Sequence, residues 1–162
     1  MKSGTMLFIN ELERAKSYGD IFTLVKKAVK NTLKEHRVGL MLYLGNLPMN
    51  VGAFHPMGTN DIVLNRKLLK AAADTRTKWK AYAFSILLHE YLHTLGYMDE
   101  RRVRGLTYRI CMDNFGGDHP VTDASVSGPW VNLNPEAFES IGEEMELERV
   151  RDFERVESGY II

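Results

Sequence analysis

The chain has 162 residues, 44% of them hydrophobic and 26% charged, with 21 Lys and Arg against 21 Asp and Glu. That length and balance describe one globular domain over residues 1–162, and the zero net charge removes the bulk electrostatic footprint of a nucleic-acid or anionic-membrane binder. A single cysteine, Cys111, excludes an internal disulfide and a thiolate-rich zinc ribbon, so any metal must be held by nitrogen and oxygen donors.

No stretch approaches the roughly 18 to 20 apolar residues of a membrane span. Met1 to Asn10 leads into Glu11 and Glu13 where a signal peptide would want an apolar core and a small-residue cleavage site. The expectation is a cytoplasmic protein that does not cross a membrane. From Asp20, a candidate N-cap, the residues Ile21, Leu24, Val25, Ala28, Val29 and Leu33 recur at helical spacing opposite Lys26, Lys27, Lys30 and Lys34, with Gly39 as the stop. The lysine face has no interleaved aromatic residues and reads as solvated rather than as a nucleic-acid site. Val38 to Leu44 reads as a buried strand, and Val51 to His55 and Ile62 to Leu64 as two more around the turn-forming run from Pro56 to Asp61. Arg66 to Ala73 and Lys78 to Leu95 then read as helices, the second with Ala81, Phe84, Leu88, Leu92 and Leu95 in one core-facing stripe. The fold class expected is α+β, a small mixed sheet of about three strands packed on that helix, with a helical C-terminal part.

The second helix carries His89-Glu90-Tyr91-Leu92-His93, an H-E-x-x-H motif. Residues four apart sit one turn above each other, so both imidazoles leave the same face and can close on one tetrahedral ion. Glu90 lies one step, roughly 100°, from His89, beside such an ion but not on it. A water touching both the ion and Glu90 would be acidified and deprotonated, which is the machinery for attack on an amide carbonyl. A catalytic zinc takes three protein ligands and leaves one position open. After His93, Gly96 can end the helix with positive φ and turn the chain back, and Asp99 and Glu100 are the first oxygen donors to follow. Asp99 completes H-E-x-x-H-x-x-G-x-x-D, while Glu100 would open a further helix, Glu100 to Met112.

These residues resemble the zincin metallopeptidases. His89, Glu90, His93, Gly96 and Asp99 resemble the extended metzincin motif in the variant with aspartate as third ligand, as in snapalysins. The helix starting at Glu100, with Val103, Leu106 and Ile110 as a core stripe, is similar instead to the glutamate helix of gluzincins and minigluzincins. The motif spacing favours Asp99 as the third zinc ligand, with Glu100 as the alternative. The resemblance implies a zincin-like fold and a zinc-dependent metallopeptidase acting on peptide or protein, with Glu90 as general base. It also implies that Val51 to His55 is an edge strand that binds extended substrate. Metzincins place a methionine under the metal, for which Met98 and Met112 are the candidates. The spacing H-x3-H-x5-[H/D] also resembles a bacterial ribosomal-RNA maturation family, which lacks the glutamate that this chain has as Glu90. A zinc-dependent ribonuclease or other metallohydrolase, or a zinc-binding protein without turnover, are the alternatives.

Other residues carry less. His119, Tyr97, Tyr108 or Arg109 could donate to an oxyanion, although each also reads as an ordinary loop or surface residue. Cys111, at helical spacing beside Thr107, reads as a packed, unreactive thiol. From Pro135 onward the chain turns acidic, and Ala137 to Ser158 is expected to be a helix, either packed on the body or covering the cleft.

Overall fold

A computed structural model of the protein describes residues 3–48, 51–127 and 146–154. Among them the chain forms α1 (Ser3–Arg14), α2 (Tyr18–Leu33), β1 (Met41–Gly45), β2 (Ala53–Phe54), β3 (Asp61–Asn65), α3 (Arg66–Ala72), α4 (Arg76–Thr94), α5 (Glu100–Phe115), α6 (Pro120–Ser127) and β4 (Leu147–Arg149). The class is α+β, with a mixed sheet in the order β2-β3-β1-β4. β1 and β3 run parallel from Met41 opposite Asp61 to Gly45 opposite Asn65, while β2 pairs antiparallel with β3 and β4 antiparallel with β1.

The two-residue period of the strands sorts their side chains between two cores. Leu42 and Leu44 stand opposite Ile62 and Leu64 and join the helices in the main core. Tyr43 stands opposite Val63 on the other face and meets Leu47, Val51 and Phe54 in a smaller cluster. The Asn65 side chain closes this corner: its Oδ1 accepts the N–H groups of Lys67 and Leu68 that open α3, and its amide donates to the Leu47, Pro48 and Val51 carbonyls.

Several expectations are corrected. The helix expected from Asp20 begins at Tyr18, because Ser17 accepts the Asp20 N–H and is the cap, and the Asp20 carboxylate instead takes the Lys16 N–H at 2.9 Å. It ends at Lys34 in the left-handed conformation (φ 61°), ahead of Gly39. α4 has no single apolar stripe: it packs against α2, α3, α5, α6 and β2 and is buried on all sides, Ala83, Ser85, Ile86 and Leu87 included. α1 and α6 were not anticipated.

The sheet has a fourth strand, which comes from the acidic tail. Of the helix expected over Ala137 to Ser158, residues 137–145 and 155–158 lie outside the described residues, and Leu147–Arg149 is strand rather than helix. β1 has a free edge whose backbone groups need partners, and β4 supplies them. Beyond it Phe153 is buried and stacks on Phe22 with ring centroids 4.1 Å apart, and the Glu154 carboxylate accepts the Gly39 and Leu40 N–H groups at 2.9 and 3.0 Å. Gly19 makes room for this turn, since a Cβ there would lie 2.4 Å from the Asp152 carbonyl oxygen. This part of the tail seals the sheet edge opposite β2. Among the described residues no helix is long and apolar enough to cross a membrane.

Candidate metal centre

The site forms where α4 ends and α5 begins. At the end of α4 the Gly96 N–H bonds the His93 carbonyl at 3.1 Å and the Tyr97 N–H reaches back to the Leu92 carbonyl at 3.3 Å, with Gly96 at φ 104°. This paired closure is a Schellman turn, and it needs the positive φ that glycine adopts without strain. It reverses the chain within a few residues. Asp99 then caps α5, its carboxylate accepting the Arg101 N–H at 2.9 Å, and Glu100 becomes the first residue of the new helix.

That placement separates the two carboxylates. Asp99 is occupied in capping, whereas the Glu100 carboxylate faces both imidazoles, Oε2 at 2.9 Å from His89 Nε2 and Oε1 at 2.6 Å from His93 Nε2. The His89 and His93 rings are 5.0 Å apart between centroids. Of the residues singled out in the sequence, the structure therefore brings His89, His93 and Glu100 together, and it places the Asp99 side chain on the α5 backbone. The usable signal was the strong preference of aspartate for helix N-caps, which competes with counting residues from the histidines.

The three donor atoms lie within 4.8 Å of one another. A tetrahedral zinc with bonds of about 2.0 to 2.2 Å needs donors about 3.3 to 3.6 Å apart, so the two short contacts to Glu100 would open and the other separations settle near that value on binding. Two imidazole nitrogens and a carboxylate are also a donor set that suits zinc. Side-chain exposures of 19% for His89, 12% for His93 and 36% for Glu100 leave the centre accessible to solvent on one side.

His93 is oriented from behind. Its Nδ1 lies 2.8 Å from the Tyr97 carbonyl oxygen, which can only accept, so Nδ1 carries the hydrogen and Nε2 is the nitrogen presented to the centre. Burial pulls the His93 pKa down, but the Glu100 hydrogen bond and the charges of Glu90 and Glu100 outweigh it and the net shift is upward. Burial likewise pushes Glu100 up, and the two imidazoles overcome it, holding that carboxyl well below the usual range. Glu90, 5% exposed, is raised by burial against the partial opposition of the imidazoles of His89, His93 and His55.

His55, not singled out in the sequence, lies near enough to Glu90 for its charge to oppose the upward shift. It follows β2, which packs on α4, and its Nδ1 donates to the Asp61 carbonyl at 2.8 Å. The other sequence candidates are otherwise engaged. The Tyr97 hydroxyl donates to Glu35. His119 accepts the Val121 N–H on Nδ1 at 3.1 Å at the start of α6, with its ring 4.9 Å from that of Phe115. Tyr108 and Arg109 are exposed on α5. Met98 and Met112 are surface residues, 56% and 38% exposed, rather than a floor beneath an ion. Cys111 is buried, its thiol pushed up to about 12 by burial against a partly offsetting Ser125 hydrogen bond. A cleft of about 950 Å³ lies elsewhere, bordered by α1, α2 and the segment before β1, and none of His89, His93 and Glu100 lines it.

Searches of protein-family models, of curated proteins and of solved structures each return no match to this chain.

Proposed function

We propose that the protein is a zinc-dependent metallopeptidase of the zincin type in its gluzincin arrangement, with His89, His93 and Glu100 as ligands and Glu90 as general base. The observation that carries this reading is the Glu100 carboxylate lying within hydrogen-bond reach of both imidazoles of an H-E-x-x-H helix, with Glu90 buried one residue along. Zinc bound there would supply Lewis acidity, polarising a carbonyl and lowering the pKa of a water.

The chain's own groups do the rest. Glu90 takes the proton of the attacking water and later delivers it to the departing amine. β2 is the terminal strand of the sheet in the order β2-β3-β1-β4, and it packs on α4. An extended peptide pairing with that edge would lie alongside the centre. A cytoplasmic location and a peptide or protein substrate belong to this proposal.

One observation favours a second reading, a metal-dependent ribonuclease: Arg101, Arg102 and Arg104 are exposed on α5 within the first turns after Glu100, a local excess of positive charge on the helix that carries it. The experiment that tests the proposal compares wild type and Glu90→Gln, both zinc-loaded, on a mixed peptide library and on single-stranded RNA. Glu90→Gln keeps the shape of the side chain and removes the base, so zinc content should persist while peptide hydrolysis falls by on the order of 10² to 10⁴. Cleavage of RNA without cleavage of peptide would replace the first reading by the second. Silence on both substrates from a folded, zinc-loaded wild type would leave a zinc-binding protein without turnover.

A further inference from the structure

We propose that Glu35, on the segment between α2 and β1, is a positioning residue of the centre: by holding the Tyr97 hydroxyl it fixes the turn whose Tyr97 carbonyl orients His93. The inference rests on the reading of His93 as a metal ligand.

Four links carry it. His93 Nδ1 donates to the Tyr97 carbonyl at 2.8 Å, and this is the bond that selects which ring nitrogen faces Glu100. Tyr97 is tied to the end of α4 by one backbone bond, its N–H reaching the Leu92 carbonyl at 3.3 Å, and that bond lies in the peptide before the one that bears the carbonyl. The Tyr97 side chain adds the missing constraint, donating its hydroxyl to Glu35 Oε2, while the Arg102 guanidinium lies 5.0 Å from its ring centroid. A phenol bonded to a carboxylate is a charge-assisted contact, stronger than a neutral one.

The fourth link is that the chain two residues beyond Glu35 is anchored to the end of α4, which limits how far Glu35 can move with Tyr97. Two residues on, the Arg37 N–H donates to the Tyr91 hydroxyl at 2.8 Å, and that hydroxyl approaches the Arg37 carbonyl at 3.3 Å. The Arg37 guanidinium donates to the Thr94 carbonyl at the end of α4 and, at 2.6 Å, to Asn60 Oδ1 in the turn between β2 and β3. Arg37 thus holds the end of the H-E-x-x-H helix at Tyr91 and Thr94, and Glu35 holds Tyr97 in the turn that follows. Partners that orient a metal-binding histidine are typically worth about 10- to 100-fold in metal affinity.

The test measures zinc affinity by chelator competition for wild type, Glu35→Ala, Glu35→Gln and Tyr97→Phe. Alongside it run the thermal midpoint of each metal-free protein and the imidazole Nδ1–H resonance of His93, which is visible only while a hydrogen bond protects it from exchange with water. Glu35→Ala and Tyr97→Phe should each bind zinc about tenfold more weakly and lose or broaden that resonance. Glu35→Gln keeps an acceptor oxygen and should restore most of both. Thermal midpoints should stay close to wild type. Equal zinc affinity and an unchanged resonance in Glu35→Ala would overturn the proposal. So would a weaker affinity that follows a lowered thermal midpoint with the resonance intact, because that is a structural role only. A wild type that takes up no zinc would instead overturn the reading of the centre on which the proposal rests.

Discussion

Residues 89–100 and residues 146–154 both bring charged side chains against the body of the protein, but opposite kinds of physics place them. In the first segment the groups that face one another lie within a dozen residues: two histidines one turn apart, a glycine that closes the helix, an aspartate that caps the next one and a glutamate that turns back to the histidines. In the second nearly every interaction reaches across the chain. β4 pairs with β1, Phe153 stacks on Phe22, and Glu154 binds the backbone of Gly39 and Leu40. A site whose groups share one short segment can be located in sequence order even where packing picks among them, whereas a tail assembled by distant partners takes the conformation those partners impose.

The comparison can be broken most decisively at the histidines. His89→Ala or His93→Ala should abolish stoichiometric zinc binding, measured by metal analysis of the purified variants, because a centre with one imidazole and one carboxylate no longer encloses an ion. Full zinc occupancy in either variant would remove the first segment from the argument.

The next effect in size falls on the tail. Phe153→Ala removes a buried ring and should destabilise the fold by about 3 to 5 kcal/mol in urea denaturation. Zinc affinity in the folded variant should stay near wild type, since Phe153 packs on α2 and not on the centre. A loss below about 1 kcal/mol would mean that the tail is peripheral and the contrast drawn here too strong.

Glu100 and Asp99 sharpen the comparison within one turn of chain. Glu100→Ala should weaken zinc binding by about a hundredfold or more, equivalent to about 2.7 kcal/mol. Asp99→Ala should change the affinity by less than about threefold and cost about 1 kcal/mol of stability through the lost cap. Affinities that reverse this order would make Asp99 the ligand, as the motif spacing alone suggested.

The smallest effect is expected at Glu154. Glu154→Gln leaves one acceptor oxygen where two now serve the Gly39 and Leu40 N–H groups, and should cost about 1 kcal/mol in the same denaturation assay. A neutral result would assign the docking of the tail to Phe153 and β4 alone.

Much of the scaffold was legible before the structure. The strands expected over Val38 to Leu44 and Ile62 to Leu64 are found at 41–45 and 61–65, with Val38 exposed and outside the strand and Gly45 inside it, and the H-E-x-x-H helix follows from its length and the breaker at Gly96. Glu90 follows from the same motif. What could not be read depends on partners far away. α4 carries no clean stripe because α2, α5 and α6 close around it, and its burial on all sides is a property of those neighbours. His55 and Glu35 stand 34 and 54 residues ahead of His89 in the numbering, and nothing in either local sequence links them to it.

The sequence by itself determined that two imidazoles share a helix face with a glutamate beside them, because the α-helical period does not depend on context. It also determined that the helix must stop at Gly96 and that a carboxylate follows within reach. Only the tertiary structure decided which carboxylate turns inward, because Asp99 and Glu100 differ by one residue and α5 must pack Val103, Thr107 and Ile110 into the core. That packing sets the rotation of the helix, and the rotation directs Glu100 to the histidines while leaving Asp99 to its cap. The acidic tail shows the same dependence: its polar sequence permits either helix or strand, and the open edge of β1 together with the Phe22 ring selects strand. Local hydrogen-bond geometry is encoded residue by residue, but the choice between near-equal local alternatives is made by whichever one buries apolar surface and satisfies a distant backbone.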